Sequence, residues 1–146
     1  FYVNFIELAA RINDNMPYHT VSRIVDILSS KGQALKGAKI LVLGVTFKEN
    51  ISDIRNSPAI KVMELLGERG AAIAYSDYNV PEIVLAGVCS SSMDLNPAAI
   101  NSFDAVILLV AHREFDLSMI VQNANILIDT KNAARGLGPQ PNIIRV

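Results

Sequence analysis

At 146 residues, with hydrophobic side chains at 51%, the chain is long enough and apolar enough for one α/β core and leaves no case for disorder. Thirteen basic against fourteen acidic side chains give a net charge of -1, which excludes the basic surplus that drives binding to nucleic acid or to anionic membranes. The single cysteine, Cys89, excludes an internal disulfide, and no apolar run is long enough to span a bilayer, so a cytoplasmic protein is expected.

The chain opens without Met in a helical pattern, and a fragment of a longer protein is expected. From Val3 to about Ser30 the apolar positions Ile6, Leu8, Ala9 and Ile12, then Val21, Ile24, Val25 and Leu28, recur at helical spacing. Pro17, preceded by Asn13, Asp14 and Asn15, predicts a break into two helices or one kinked helix, because a proline pushes the residue before it out of the α region. Residues 1–32 read as a helical linker and 33–146 as the folded domain. Ile40-Leu41-Val42-Leu43, wholly apolar and followed by Gly44, has the pattern of a strand buried on both faces of a parallel sheet. The next helix starts only at Ser57-Pro58, a cap followed by proline at the first helical position. Between them lies a loop, Val45 to Asn56, that is long for a βα connection and carries Lys48, Asp53 and Arg55.

The helix from Pro58 runs to about Arg69, with Gly70 as its terminator. Ala72 to Tyr75 predicts a second strand ending at Asp77. Val80-Pro81-Glu82 predicts the start of a short helix through about Leu85, and a weak strand begins near Val88. Pro97 to Ile100 reads as a short helix, Ala105 to Val110 as the longest buried strand, and Phe115 to Ala124 as a helix. Ile126 to Ile128 gives another strand, and Ile143 to Val146 an edge strand after the turn at Gly136 to Pro139. Strands alternate with helices, which predicts an α/β fold: a doubly wound, mostly parallel Rossmann-like sheet preceded by a helical segment.

Ligands of such sheets bind outside the carboxyl ends of the strands, a rule that gathers Lys48, Arg55, Asp77, His112, Arg113 and Lys131. The cations among them suit a diphosphate, Lys as a point charge and Arg as a fork; the competing explanation is ordinary solvated loop charge. Gly44-Val45-Thr46-Phe47-Lys48 offers one glycine of the Gly-x-Gly-x-x-Gly that lets a backbone hug a pyrophosphate, which argues against conventional dinucleotide binding. Asp77 imitates the acid that holds an NAD ribose, but without the glycines it reads as structural. Asp53 is expected to pair with Arg55 and fix the loop. Cys89, among Val88, Ser90 and Ser91, reads as inert. His112 has no serine or cysteine partner in an elbow, and two histidines with one cysteine argue against zinc, so neither a catalytic residue nor a metal site is assigned.

Gly44-Val45-Thr46-Phe47-Lys48 and Asp53-Ile54-Arg55-Asn56-Ser57-Pro58 recur with Ile12-Asn13, Met16-Pro17, Tyr75-Ser76-Asp77, Asp104-Ala105-Val106 with His112, and Asp129-Thr130-Lys131-Asn132. In that order, over nearly the whole chain, they resemble the carboxyl-terminal, UDP-binding domain of the UDP-glucose/GDP-mannose dehydrogenase family, and most closely its members acting on UDP-N-acetylhexosamines in surface-polysaccharide synthesis. The resemblance implies an NAD-dependent UDP-sugar 6-dehydrogenase in which Phe47, Lys48 and Lys131 meet the UDP-sugar. Arg55 would reach NAD held mainly by an amino-terminal half. Where many relatives have arginine, Lys131 keeps the charge and loses the fork. The leading helical segment would pair subunits into a homodimer, and the catalytic cysteine would precede this chain, leaving the chain inactive alone. The alternative is a stand-alone flavodoxin-like binding or signalling domain such as a receiver. Against it, Val45-Thr46-Phe47-Lys48 stands where a receiver needs acidic residues.

Overall fold

The computed structural model describes residues 2–146. A parallel sheet is built from β1 (Lys39–Leu43), β2 (Ala72–Ser76), β5 (Ala105–Leu108), β6 (Leu127–Asp129) and β7 (Ile143–Arg145), in the spatial order β2-β1-β5-β6-β7. Its register sets Ile40 beside Ile73 and Ala105, and Leu41 beside Ala74 and Val106. Because side chains alternate along a strand, each apolar run feeds two cores. Ile40, Val42, Ala105, Ile107 and Ile128 face α1 (Tyr2–Ser30) and α2 (Pro58–Glu68), while Leu41, Leu43, Val106, Leu108 and Leu127 face α3 (Pro97–Asn101) and α4 (Leu117–Asn123). The doubly wound parallel sheet expected from the sequence is therefore the fold observed.

Local chemistry sets the boundaries. Ser57, extended, accepts the Ala59 amide on its hydroxyl, Pro58 supplies the preset first helical residue, and Gly70 at φ 89° ends the helix. At the end of β5 the amides of Leu109 and Val110 both donate to the Leu43 carbonyl, at 3.0 and 3.2 Å, so the chain leaves the ladder there and turns across the end of β1.

Of the two alternatives at Pro17, the structure has the single helix and not two: α1 runs from Tyr2 to Ser30 with the proline buried inside it. Packing outweighs the single backbone hydrogen bond that proline removes, since Val21, Ile24, Ile27 and Leu28 are buried against α2 and the sheet. The helix expected from Val80 to Leu85 is instead β3 (Glu82–Leu85), paired antiparallel with β4 (Val88–Ser91) in a separate two-stranded ribbon. Ala86 and Gly87, both at positive φ (49° and 80°), form the two-residue turn that suits a hairpin's twist.

Candidate functional site

The order in which strands are added reverses between β1 and β5, because the chain passes outward from β1 to β2 and returns to the other side of β1. Parallel sheets place ligands in the crevice at such a point, outside the carboxyl ends of the strands. Gly44 opens it at φ 78°, and a Cβ there would stand 2.3 Å from the Val110 carbonyl oxygen and 2.6 Å from its Cβ. The space left by the absent side chain is thus filled by the chain's own backbone. With one glycine and no helix start before Pro58, this turn does not fit the pyrophosphate of a dinucleotide.

Beyond Gly44 the loop is tied down from several directions. The Val45 amide donates to Asp77 Oδ2 at 2.8 Å, the Thr46 hydroxyl to the Lys48 carbonyl at 2.6 Å, and the Phe47 amide to the Asp53 carbonyl at 2.7 Å. Ser57 closes the far end, its hydroxyl donating to the Thr46 carbonyl at 3.1 Å. His112 and Asp77, each with a fully buried side chain, meet at 2.9 Å from Nε2 to Oδ2. Asp77 Oδ1 accepts the Asn79 amide as well, so its oxygens are spent on the fold, as its structural reading predicts. Thr46 lies 3.2 Å from the same nitrogen of His112, but its hydroxyl is buried and bonded to the Lys48 carbonyl, so it is not an exposed nucleophile.

Two adjoining cavities lie at this edge. A cleft of about 640 Å³ runs between α1 and the strand ends, its walls including Asn13, Thr20, Phe47, Asn56 and Lys131. A recess of about 450 Å³ is lined by Phe47, Lys48, Glu49, Val110 and Lys131. The neighbours Phe47 and Lys48 therefore share one recess with Lys131, which is distant in sequence, and Phe47 and Lys131 form the wall common to both cavities. Phe47 is 47% exposed, and Lys48 Nζ stands 5.8 Å from the centre of its ring. Lys131 is placed by Asp129, whose buried carboxylate accepts the amides of Lys131 and Ala133 on Oδ1 (3.0 and 3.2 Å) and of Ala134 on Oδ2 (2.9 Å).

Arg55 lines neither cavity. Its Nε and Nη2 donate to the two oxygens of Asp53 at 3.0 and 2.9 Å, and its side chain is 86% exposed. The Arg55 hydrogen bonds hold the Asp53 carboxyl down to about 2, and Asp53 in turn raises the arginine. The expected Asp53 and Arg55 pairing is present, and it spends one edge of the guanidinium. Among the described residues, no group of three His, Cys, Asp or Glu could hold a metal ion. Reading residue types alone missed the α1 wall, although Asn13, Pro17 and Thr20 recur at helical spacing and so share a face.

Residues 41–136 match the model of the UDP-glucose/GDP-mannose dehydrogenase family, UDP binding domain. The chain belongs to that family. Similar members include a UDP-N-acetyl-D-glucosamine 6-dehydrogenase of Salmonella typhi, 29% identical, with 90% of this chain and 32% of that protein covered. A UDP-N-acetyl-D-mannosamine dehydrogenase of Methanococcus vannielii is 30% identical over 88% of this chain and 30% of its own length. The fold is shared with the solved UDP-D-ManNAc dehydrogenase of Pyrococcus horikoshii, at 24% identity and a TM-score of 0.77 over 96% of this chain and 32% of that one. The UDP-binding domain described here thus spans about a third of the length of these relatives.

Proposed function

We propose that this chain is the substrate-nucleotide grip of an NAD-dependent UDP-sugar 6-dehydrogenase, a cytoplasmic enzyme that oxidises the C6 alcohol of a UDP-N-acetylhexosamine to the uronate for surface-polysaccharide synthesis. The observation that carries the reading is the convergence of Phe47, Lys48 and Lys131 on one recess at the sheet's reversal point. Lys48 and Lys131 supply point charges for the diphosphate, and the exposed ring of Phe47 covers the adjoining nucleoside. The main cofactor site lies outside this chain, in keeping with the filled turn at Gly44, and Arg55 contributes only the edge that Asp53 leaves free. The first half of α1 pairs with a second copy, since Val3, Phe5, Ile6, Leu8 and Ile12 are each more than half exposed there.

The test is titration of UDP by calorimetry. A charge-assisted hydrogen bond contributes about 1.5 to 3 kcal/mol, so Lys48→Ala weakens UDP binding by about one to two orders of magnitude. Lys61→Ala is the control: Lys61 sits on α2, pairs with Glu64 at 3.5 Å and lines neither cavity. Equal losses in both variants, or none in Lys48→Ala, would show that the loop is not the phosphate grip.

A further inference from the structure

His112 cannot touch a ligand, because its side chain is wholly buried, yet it is bonded to both ends of the segment that presents Lys48. The Asn50 amide donates to His112 Nδ1 at 2.9 Å. An imidazole nitrogen that accepts an N–H carries no proton of its own, so the ring's proton is on Nε2. From there it is donated to Asp77 Oδ2 at 2.9 Å, and Thr46 Oγ1 stands second in line at 3.2 Å. The geometry thus selects one tautomer. Asn50, held at φ 59°, completes a second tie when its Oδ1 accepts the Arg113 amide at 3.0 Å. Residues 46 and 50 are both fastened to the segment that follows β5, and Phe47, Lys48 and Glu49 arch between these points with exposed side chains.

We infer that His112 is a positioning residue for the diphosphate grip: by accepting from the Asn50 amide and donating to Asp77, it holds the arch 47–49 so that Lys48 is aimed into the recess before ligand arrives. A lysine on a free arch would lose conformational freedom on binding, and a preset arch avoids that loss. The inference rests on the reading of Lys48 as a phosphate contact.

The two ring nitrogens can be imitated separately. In His112→Asn the carboxamide oxygen lies near the place of Nδ1 and keeps an acceptor for Asn50. In His112→Gln the amide reaches the place of Nε2 and keeps the donor to Asp77, while the Asn50 amide loses its acceptor. Calorimetric titration of UDP into the 146-residue chain is expected to show His112→Gln weakened about tenfold and His112→Asn within about threefold of the parent. A double-mutant cycle separates positioning from general loosening, because in a Lys48→Ala background the further loss from His112→Gln shrinks to less than about twofold. Asn50→Gly tests the second tie alone, keeping the amide that His112 accepts while removing the acceptor for Arg113; it is expected to weaken UDP binding about threefold, again only when Lys48 is present. If Lys48→Ala itself binds UDP like the parent, the grip and this inference fall together. If Lys48→Ala is weakened but His112→Gln binds like the parent, or its loss persists undiminished without Lys48, the inference alone is overturned. Should His112→Gln not fold, His112→Leu, which removes both ring hydrogen bonds, decides by the same two criteria.

Discussion

Tyr75 shows how one buried hydroxyl ties the outer ribbon to the sheet. It donates to the Val80 carbonyl at 3.0 Å and reaches the Ser90 carbonyl at 3.4 Å, and burial, followed by the nearby Asp77 charge, pushes its phenol up to about 12 from 10.0. A raised folded value means that the native state keeps its proton where the unfolded chain has lost it. The stabilisation is therefore complete below about pH 10 and is lost as pH rises toward about 12. Tyr75→Phe is expected to cost about 1 kcal/mol at neutral pH and to flatten this alkaline loss, as measured by urea unfolding at stepped pH. Asp77, at the end of the same strand, was legible from the sequence as structural, because the glycines that would give it a ribose to hold are missing. Its partner His112 was not, since the two are separated by 35 residues and meet only once β2 and β5 are known to flank β1.

The hairpin β3-β4 marks where local signals misled, and the helix α1 where they left two alternatives open. Pro81 after Val80 has the look of a helix start, and Ala86-Gly87 lacks the asparagine or aspartate that announces a primed turn. A non-glycine residue at φ 49° carries a local cost that asparagine bears more easily. Ala86→Asn is therefore expected to stabilise the protein by about 0.5 to 1 kcal/mol, read as a shift in urea midpoint at unchanged slope. A decrease would mean that the turn is not the strained element. The elements with the clearest punctuation were read closely from sequence: β1 by its apolar run into Gly44, and α2 by Ser57, Pro58 and Gly70. At Pro17 the sequence left one helix or two open, because the face that holds α1 together is buried by residues distant in the chain.

Across the whole molecule, the two cores flank one sheet, but the helix that enters the first core also extends past it. Phe5, Leu8 and Ile12 are 75%, 53% and 54% exposed, and a spacing of three to four residues puts them on one side of α1. Glutamate at both Phe5 and Ile12 is expected to convert a self-associating chain to monomers in light scattering while leaving its thermal midpoint, measured as a monomer, within about 3 °C of the parent. An association state indifferent to both substitutions would place the contact elsewhere. At the end of β1, Gly44 lies directly against Val110. The nearest atom to a Cβ at 44 would be a main-chain carbonyl oxygen, which every amino acid possesses. A smaller residue at 110 would leave that oxygen where it is. Any side chain at 44 would have to displace the segment that follows β5, so the turn after β1 and the exit from β5 are constrained together.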